Sequence, residues 1–186
     1  MRIIDQESTS GKIIYALGIG IGISVALANR RTSYKITKTL VKEIFGKNEK
    51  PPNLPRRFSK LRQQKLVAIK KIGEEDHLVL TEKGETILLR FDYENIEIKK
   101  SKIWDRHFRM VVFDIPEKRR KERDLFRFKL KEMEFVKFND SVWMYPYPCQ
   151  GEIDFVANYL GIGTYVHFAL VKDITNKEKL ERYFKL

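Results

Sequence analysis

The sequence predicts an α+β chain of two small units: helices with a two-stranded hairpin first, then the element order βαββαβ. Three observations carry this reading. Apolar spacing is helical as far as Leu66 and turns strand-like from Val67 to Thr81. Beyond Trp104, strand-like and helical stretches alternate in the order just given. The charge is also lopsided: of a formal net +12, the window Arg30 to Lys71 holds 14 Lys and Arg against only Glu43 and Glu49.

The first element is the apolar run Ile13 to Ala28, IIYALGIGIGISVALA, 16 residues without a charge. A membrane-spanning helix needs about 20 apolar residues, so a buried helix is expected here, with a membrane tether as the alternative. Gly18 and Gly22 would let a neighbouring helix approach closely. Ser33 is positioned to cap a second helix to about Phe45, with Ile36, Leu40, Val41 and Ile44 on one face and Gly46 as its stop. Lys35, Lys38 and Lys42 fall on or near its other face. The segment KNEKPPNLPRR reads as a loop because of its three prolines. A third helix is expected from about Phe58, with Phe58, Leu61 and Leu66 inward.

VAIKKI and HLVLT then flank GEED as a β-hairpin with Gly73 in or beside the turn. TEKGETILLRF returns to helix with Thr81 as its cap. Helices followed by a hairpin outline a winged helix-turn-helix over residues 1–92, in which the helix before the wing enters the major groove of DNA. That helix and its flanks carry Arg56, Arg57, Lys60, Arg62, Lys65, Lys70 and Lys71, with no acidic residue between Pro51 and Gly73. Such a cluster suits a polyanion, because binding releases condensed counterions. Gln63 and Gln64 add amides of the type that pairs with adenine edges. A solvated basic surface is the plainer explanation of the same pattern.

Residues 93–103, YENIEIKKSKI, read as a linker with at most one edge strand. From there the expected elements are strand 109–115, helix 117–133, strands 135–138 and 142–145, helix 152–160 and strand 164–171, a ferredoxin-like βαββαβ unit over 104–186 closed by a short helix. Phe126, Leu130 and Met133 share one face of the first of these helices, and Leu125 widens it. Arg119, Arg123, Arg127 and Lys131 recur every four residues beside that face. Like charges at this spacing repel by about 0.2–0.5 kcal/mol per pair, so the stripe costs helix stability unless anions answer it. A solvated face is the plain explanation, and a groove in which Arg119, Arg123 and Arg127 track nucleic-acid phosphates is the functional one.

Several function classes lose their local signature. A single Cys149 forms no intrachain disulfide, and His77, His107 and His167 are too scattered for a structural zinc. A reducing cytoplasm is the natural setting. There is no Gly-rich phosphate loop, nucleophile elbow or paired-histidine zinc motif. The remaining chemical candidate is Asp114, at the end of an apolar strand: a carboxylate there suits Mg²⁺, which keeps several waters and needs few protein ligands. Otherwise Asp114 accepts backbone N–H groups of the turn that follows.

WDRHFRMVVFDIPEKRRKERDLFRFKL followed by FVKFNDSVWMYPYPCQGEIDF resembles the central domain of PaaX-type transcriptional repressors. That domain is itself similar to the small CRISPR adaptation nuclease Cas-two. The pattern is a strand ending in Asp114, Ile115 and Pro116, a basic helix, and a strand opening with Ser141, Val142 and Trp143. The resemblance implies a dimerising ferredoxin-like domain and, for a PaaX-type protein, a winged helix in front that binds operator DNA. For the nuclease it implies Asp114 as Mg²⁺ ligand and a partnership with the adaptation integrase. The expectation is a homodimeric, double-stranded-DNA-binding regulator needing no cofactor to bind. A metal-dependent nuclease or spacer-adaptation scaffold is the runner-up, and a membrane-tethered nucleic-acid-binding protein the third reading.

Overall fold

A computed structural model describes residues 4–20, 23–24, 26–28, 33–35, 44–46 and 53–186. The chain divides into two compact units, Met1–Asp92 and Tyr93–Leu186.

In the first unit, α1 (Thr9–Gly18) starts at Ser8, whose Oγ accepts the Gly11 N–H at 3.1 Å. It buries Ile13, Ile14 and Ala16. Gly18 lies so close to Leu88 that an added Cβ would come within 2.2 Å of that side chain. The expected helix over 13–28 is corrected. The helix closes at Gly18, Gly20 takes φ +84°, and Ile23–Ser24 (β1) and Ala26–Ala28 (β2) are strands. The alternation of β-branched residues with glycine in Ile19 to Ile23 explains this, since isoleucine favours extended backbone and glycine weakens a helix. No helix among the described residues is long and apolar enough to cross a membrane.

Ser33 does not cap a helix either. Ser33–Lys35 is β3, paired antiparallel with β2 so that Tyr34 lies opposite Leu27. Ile44 and Phe45 are helical and Gly46 follows with φ +85°. The intervening calls on Ile36, Lys38, Leu40, Val41 and Lys42, and that on Gly22, lie outside the described residues. The next helix, α2 (Leu54–Gln63), begins four residues earlier than expected, inside the proline segment. Pro55 is tolerated there because the first turn leaves its N–H groups unbonded anyway.

Strands β4 (Val67–Ile72) and β5 (Glu75–Leu80) form the hairpin, with Gly73 at φ +63° in its turn. With β1 they make a three-stranded sheet in the order β1-β5-β4. Helix α3 (Glu82–Glu94) follows. Phe58, Leu61, Leu66, Val67, Leu78, Ile87 and Phe91 pack with Ile13 and Ile14 into one core.

The second unit holds β6 (Phe108–Phe113), a 3₁₀ turn at Glu117–Arg119, α4 (Arg120–Glu132), β7 (Val136–Asn139), β8 (Val142–Tyr145), α5 (Gln150–Tyr159), β9 (Val166–Val171) and α6 (Lys177–Phe184). The sheet order is β7-β8-β6-β9, every neighbour antiparallel. On one face Val111, Phe113, Trp143 and Tyr145 meet Phe126 and Leu130 of α4 and Ile153, Val156 and Ala157 of α5. On the other, Phe108 and Met144 meet Leu180 of α6 and Trp104. Leu125 does not widen the buried face of α4; it is 48% exposed. The expected linker has no strand. Its Ile96 and Ile98, with Tyr93, pack against the second unit's core.

Candidate nucleic-acid interface

Helix α2 is the most basic described surface of the first unit. Asn53 precedes it with φ +54°, and its carbonyl accepts the Arg57 N–H at 3.1 Å. Phe58 and Leu61, 1% and 0% exposed, hold the helix to the core. The helix ends where Lys65 adopts φ +58° and the Leu66 N–H returns to the Leu61 carbonyl at 3.0 Å.

A compact junction then locks this end to α3. The Thr81 hydroxyl donates to the Lys65 carbonyl at 2.7 Å and accepts the Gly84 N–H at 3.2 Å, while the Thr81 N–H bonds the Leu66 carbonyl at 3.1 Å. Gly84 sits so close that an added Cβ would lie 2.1 Å from the Leu66 oxygen. Thr81 is thus both helix cap and tether, and the exposed side of α2 is held in one orientation.

That side opens into a shallow concavity lined by Asn53, Arg56, Arg57, Ser59, Lys60 and Gln63. Arg56, Arg57 and Lys60 are exposed, and none forms an ion pair with another described residue. The helix contains no acidic residue. Arg62 and Lys65 are exposed at its end, and Lys70 and Lys71 on β4, where Lys71 lies across the ladder from Asp76. Gln64 lies apart from the concavity, its carbonyl accepting Lys83 Nζ at 3.1 Å. Sequence reasoning overlooked Asn53 and Ser59. The spacing Asn53, Arg56, Lys60, Gln63 on a single helical face was the signal for the first.

In the second unit the arginine stripe is answered from within. Arg119 Nη1 donates to the Gly161 carbonyl. Arg123 donates to the Ile115 carbonyl at 3.3 Å and to Glu117 Oε2 at 2.8 Å. Arg127 donates to the Asp140 carbonyl at 3.1 Å and lies over the Phe113 ring. The Arg123 guanidinium holds the Glu117 carboxyl below its ordinary range. Arg123 meets a carboxylate in Glu117 and Arg127 one in Asp124 at 3.9 Å, whereas the carbonyl partners are neutral and leave the charges in place.

Asp114 closes β6, its N–H bonded to the Tyr165 carbonyl at 3.0 Å. Its carboxylate is exposed and takes no hydrogen bond from any described residue, so the expected turn-capping role is not realised. Pro116, which has no N–H, starts the 3₁₀ turn without side-chain capping. Among the described residues no three His, Cys, Asp or Glu gather as a metal site. Asp114 supplies a single carboxylate, and Mg²⁺ is held through one or two carboxylates together with waters and substrate phosphates.

Residues 101–182 match the family model described as PaaX protein central Cas2-like domain. No curated protein matches the chain.

Proposed function

From the match of residues 101–182 to the PaaX central Cas2-like domain, we propose that this is a PaaX-type, DNA-binding transcriptional regulator acting as a homodimer. In this reading the first unit is a winged helix-turn-helix with α2 as the recognition helix and the β4–β5 hairpin as the wing. The second is a ferredoxin-like unit that pairs the subunits. The carrying observation is the exposed side of α2, where Arg56, Arg57 and Lys60 stand without a counter-charge among the described residues, immediately before the hairpin. Each phosphate neutralised releases about 0.9 counterion, so unanswered cations convert directly into affinity for duplex DNA. Arg119, Arg123 and Arg127 are already hydrogen-bonded within the fold and form a secondary surface at most. Pairing through the sheet is supported by the row Val142, Val112 and His167, in which the two valines are half-buried and the histidine exposed.

The test is fluorescence anisotropy with duplex DNA across a salt series. The expected result is steep weakening with salt, with the slope reduced by about 3 when Arg56, Arg57 and Lys60 are all neutralised. A flat response for the wild-type protein overturns the proposal.

A second reading, a metal-dependent nuclease or an adaptation scaffold for a CRISPR integrase, is favoured by one observation: the uncommitted Asp114 carboxylate at the end of β6. In a dimer paired about a two-fold axis near this loop, two copies of Asp114 would face each other and could share an ion. Incubation with labelled RNA and DNA, with and without Mg²⁺, decides it. Cleavage that is absent, or unchanged in Asp114→Ala, removes it.

A further inference from the structure

We infer that Arg56 and Gln63 read base edges in the major groove while Arg57 holds a phosphate, an assignment of roles that rests on the DNA-binding reading above. Successive residues of a helix advance about 100°. Phe58 and Leu61, with half-buried Leu54, mark the inward side of α2. Arg56 and Gln63, seven residues apart, stand opposite that side at the crown of the exposed face, with Lys60 between them. Arg57 lies about 100° round from Arg56, on the flank.

The major groove, about 12 Å wide, admits one helix. The crown of that helix then faces base edges, and its flanks face the phosphate walls. An arginine there pairs bidentately with guanine O6 and N7, and a glutamine with adenine N6 and N7. Gln63 is neutral, so it adds nothing to counterion release. Its contribution at the centre of a cationic face is hydrogen bonding. Seven residues of helix rise about 10 Å, or about three base-pair steps at 3.4 Å. The preferred site therefore places a guanine and an adenine about three steps apart. Gln64, half-buried and outside the concavity, takes no part.

The test is selection from a random duplex library with the full chain, followed by affinity measurements on the selected and on an unrelated duplex, and on duplex RNA. Gln63→Ala is expected to lose the adenine preference, weakening the selected site about 10- to 100-fold with the unrelated duplex unchanged. Gln64→Ala leaves both unchanged. Arg57→Ala weakens both alike and lowers the salt slope by about 1. Retention of the adenine preference in Gln63→Ala, or selection of no sequence by a wild-type protein whose binding is still salt-steep, overturns the assignment and leaves DNA binding standing. Absence of duplex binding, or equal affinity for duplex RNA, overturns both.

Discussion

Arg109 and Asp105 are joined by two hydrogen bonds, Nη1 to Oδ1 at 2.7 Å and Nη2 to Oδ2 at 2.5 Å. The arginine is 5% exposed, and its Nη1 also donates to the carbonyls of His107 and Pro146. The guanidinium hydrogen bonds, helped by the His107 N–H, hold the Asp105 carboxyl at about 2, below its ordinary 3.8. A depressed carboxylate contributes stability above its unfolded value and loses it as pH falls through the folded one. Because Asp105 is half-exposed, Asp105→Asn is expected to cost about 1–2 kcal/mol at pH 7. Urea unfolding should show that gap closing between about pH 4 and pH 2.

Gly84→Ala runs against helix propensity. Alanine gains up to about 1 kcal/mol over glycine in a helix interior, yet here its Cβ meets the Leu66 backbone oxygen rather than a yielding side chain. Overpacking costs about 1–3 kcal/mol, so net destabilisation is expected in thermal unfolding. Because the same junction orients α2, duplex affinity should fall with it.

Lys129 is buried, with Nζ bonded to Glu132 Oε2 at 2.9 Å and the Glu94 carbonyl at 3.2 Å, and lying over the Tyr93 ring. Lys129→Ala removes both stem and charge and is expected to lower stability by about 2–4 kcal/mol. Lys129→Met keeps the stem and should cost distinctly less. Parallel melting curves of the two variants check the ordering.

Cys149 is buried, and burial pushes its thiol up to about 12, with Glu152 adding to the effect. At pH 8 its thiolate fraction is about a thousandfold below that of a free cysteine near 8.5. A disulfide reagent should label the native protein very slowly and the urea-unfolded protein at once. Rapid native labelling would show that this part of the core opens far more readily than its packing implies.

Where neighbours in sequence are also neighbours in space, the fold was legible. Val142–Tyr145, the hairpin about Gly73 and the inward set Phe126, Leu130 and Met133 were all read from local pattern. Ile13 to Ala28 was misread because mean hydropathy hid the alternation of isoleucine and glycine. Ser33 has good capping chemistry, but strand pairing of Tyr34 with Leu27 overrode it. In the candidate interface, the charges of α2 were visible, and so were the inward Phe58 and Leu61 that turn the rest of the helix outward. The commitments of Arg119, Arg123 and Arg127 were not, since their acceptors come from Gly161, Ile115 and Asp140 on three separate loops. Nor was the tie between Arg109 and the Pro146 carbonyl, 37 residues away.

Those three arginines have a mechanical consequence. One helix edge grips the loop after β6, the turn between β7 and β8, and the loop before β9, all at the sheet end where Asp114 lies. Loops bound to a common rigid element open together or not at all, as a single cooperative unit of local unfolding. The rim around Asp114 is therefore set during folding, and whatever meets that carboxylate encounters a surface already in its final shape.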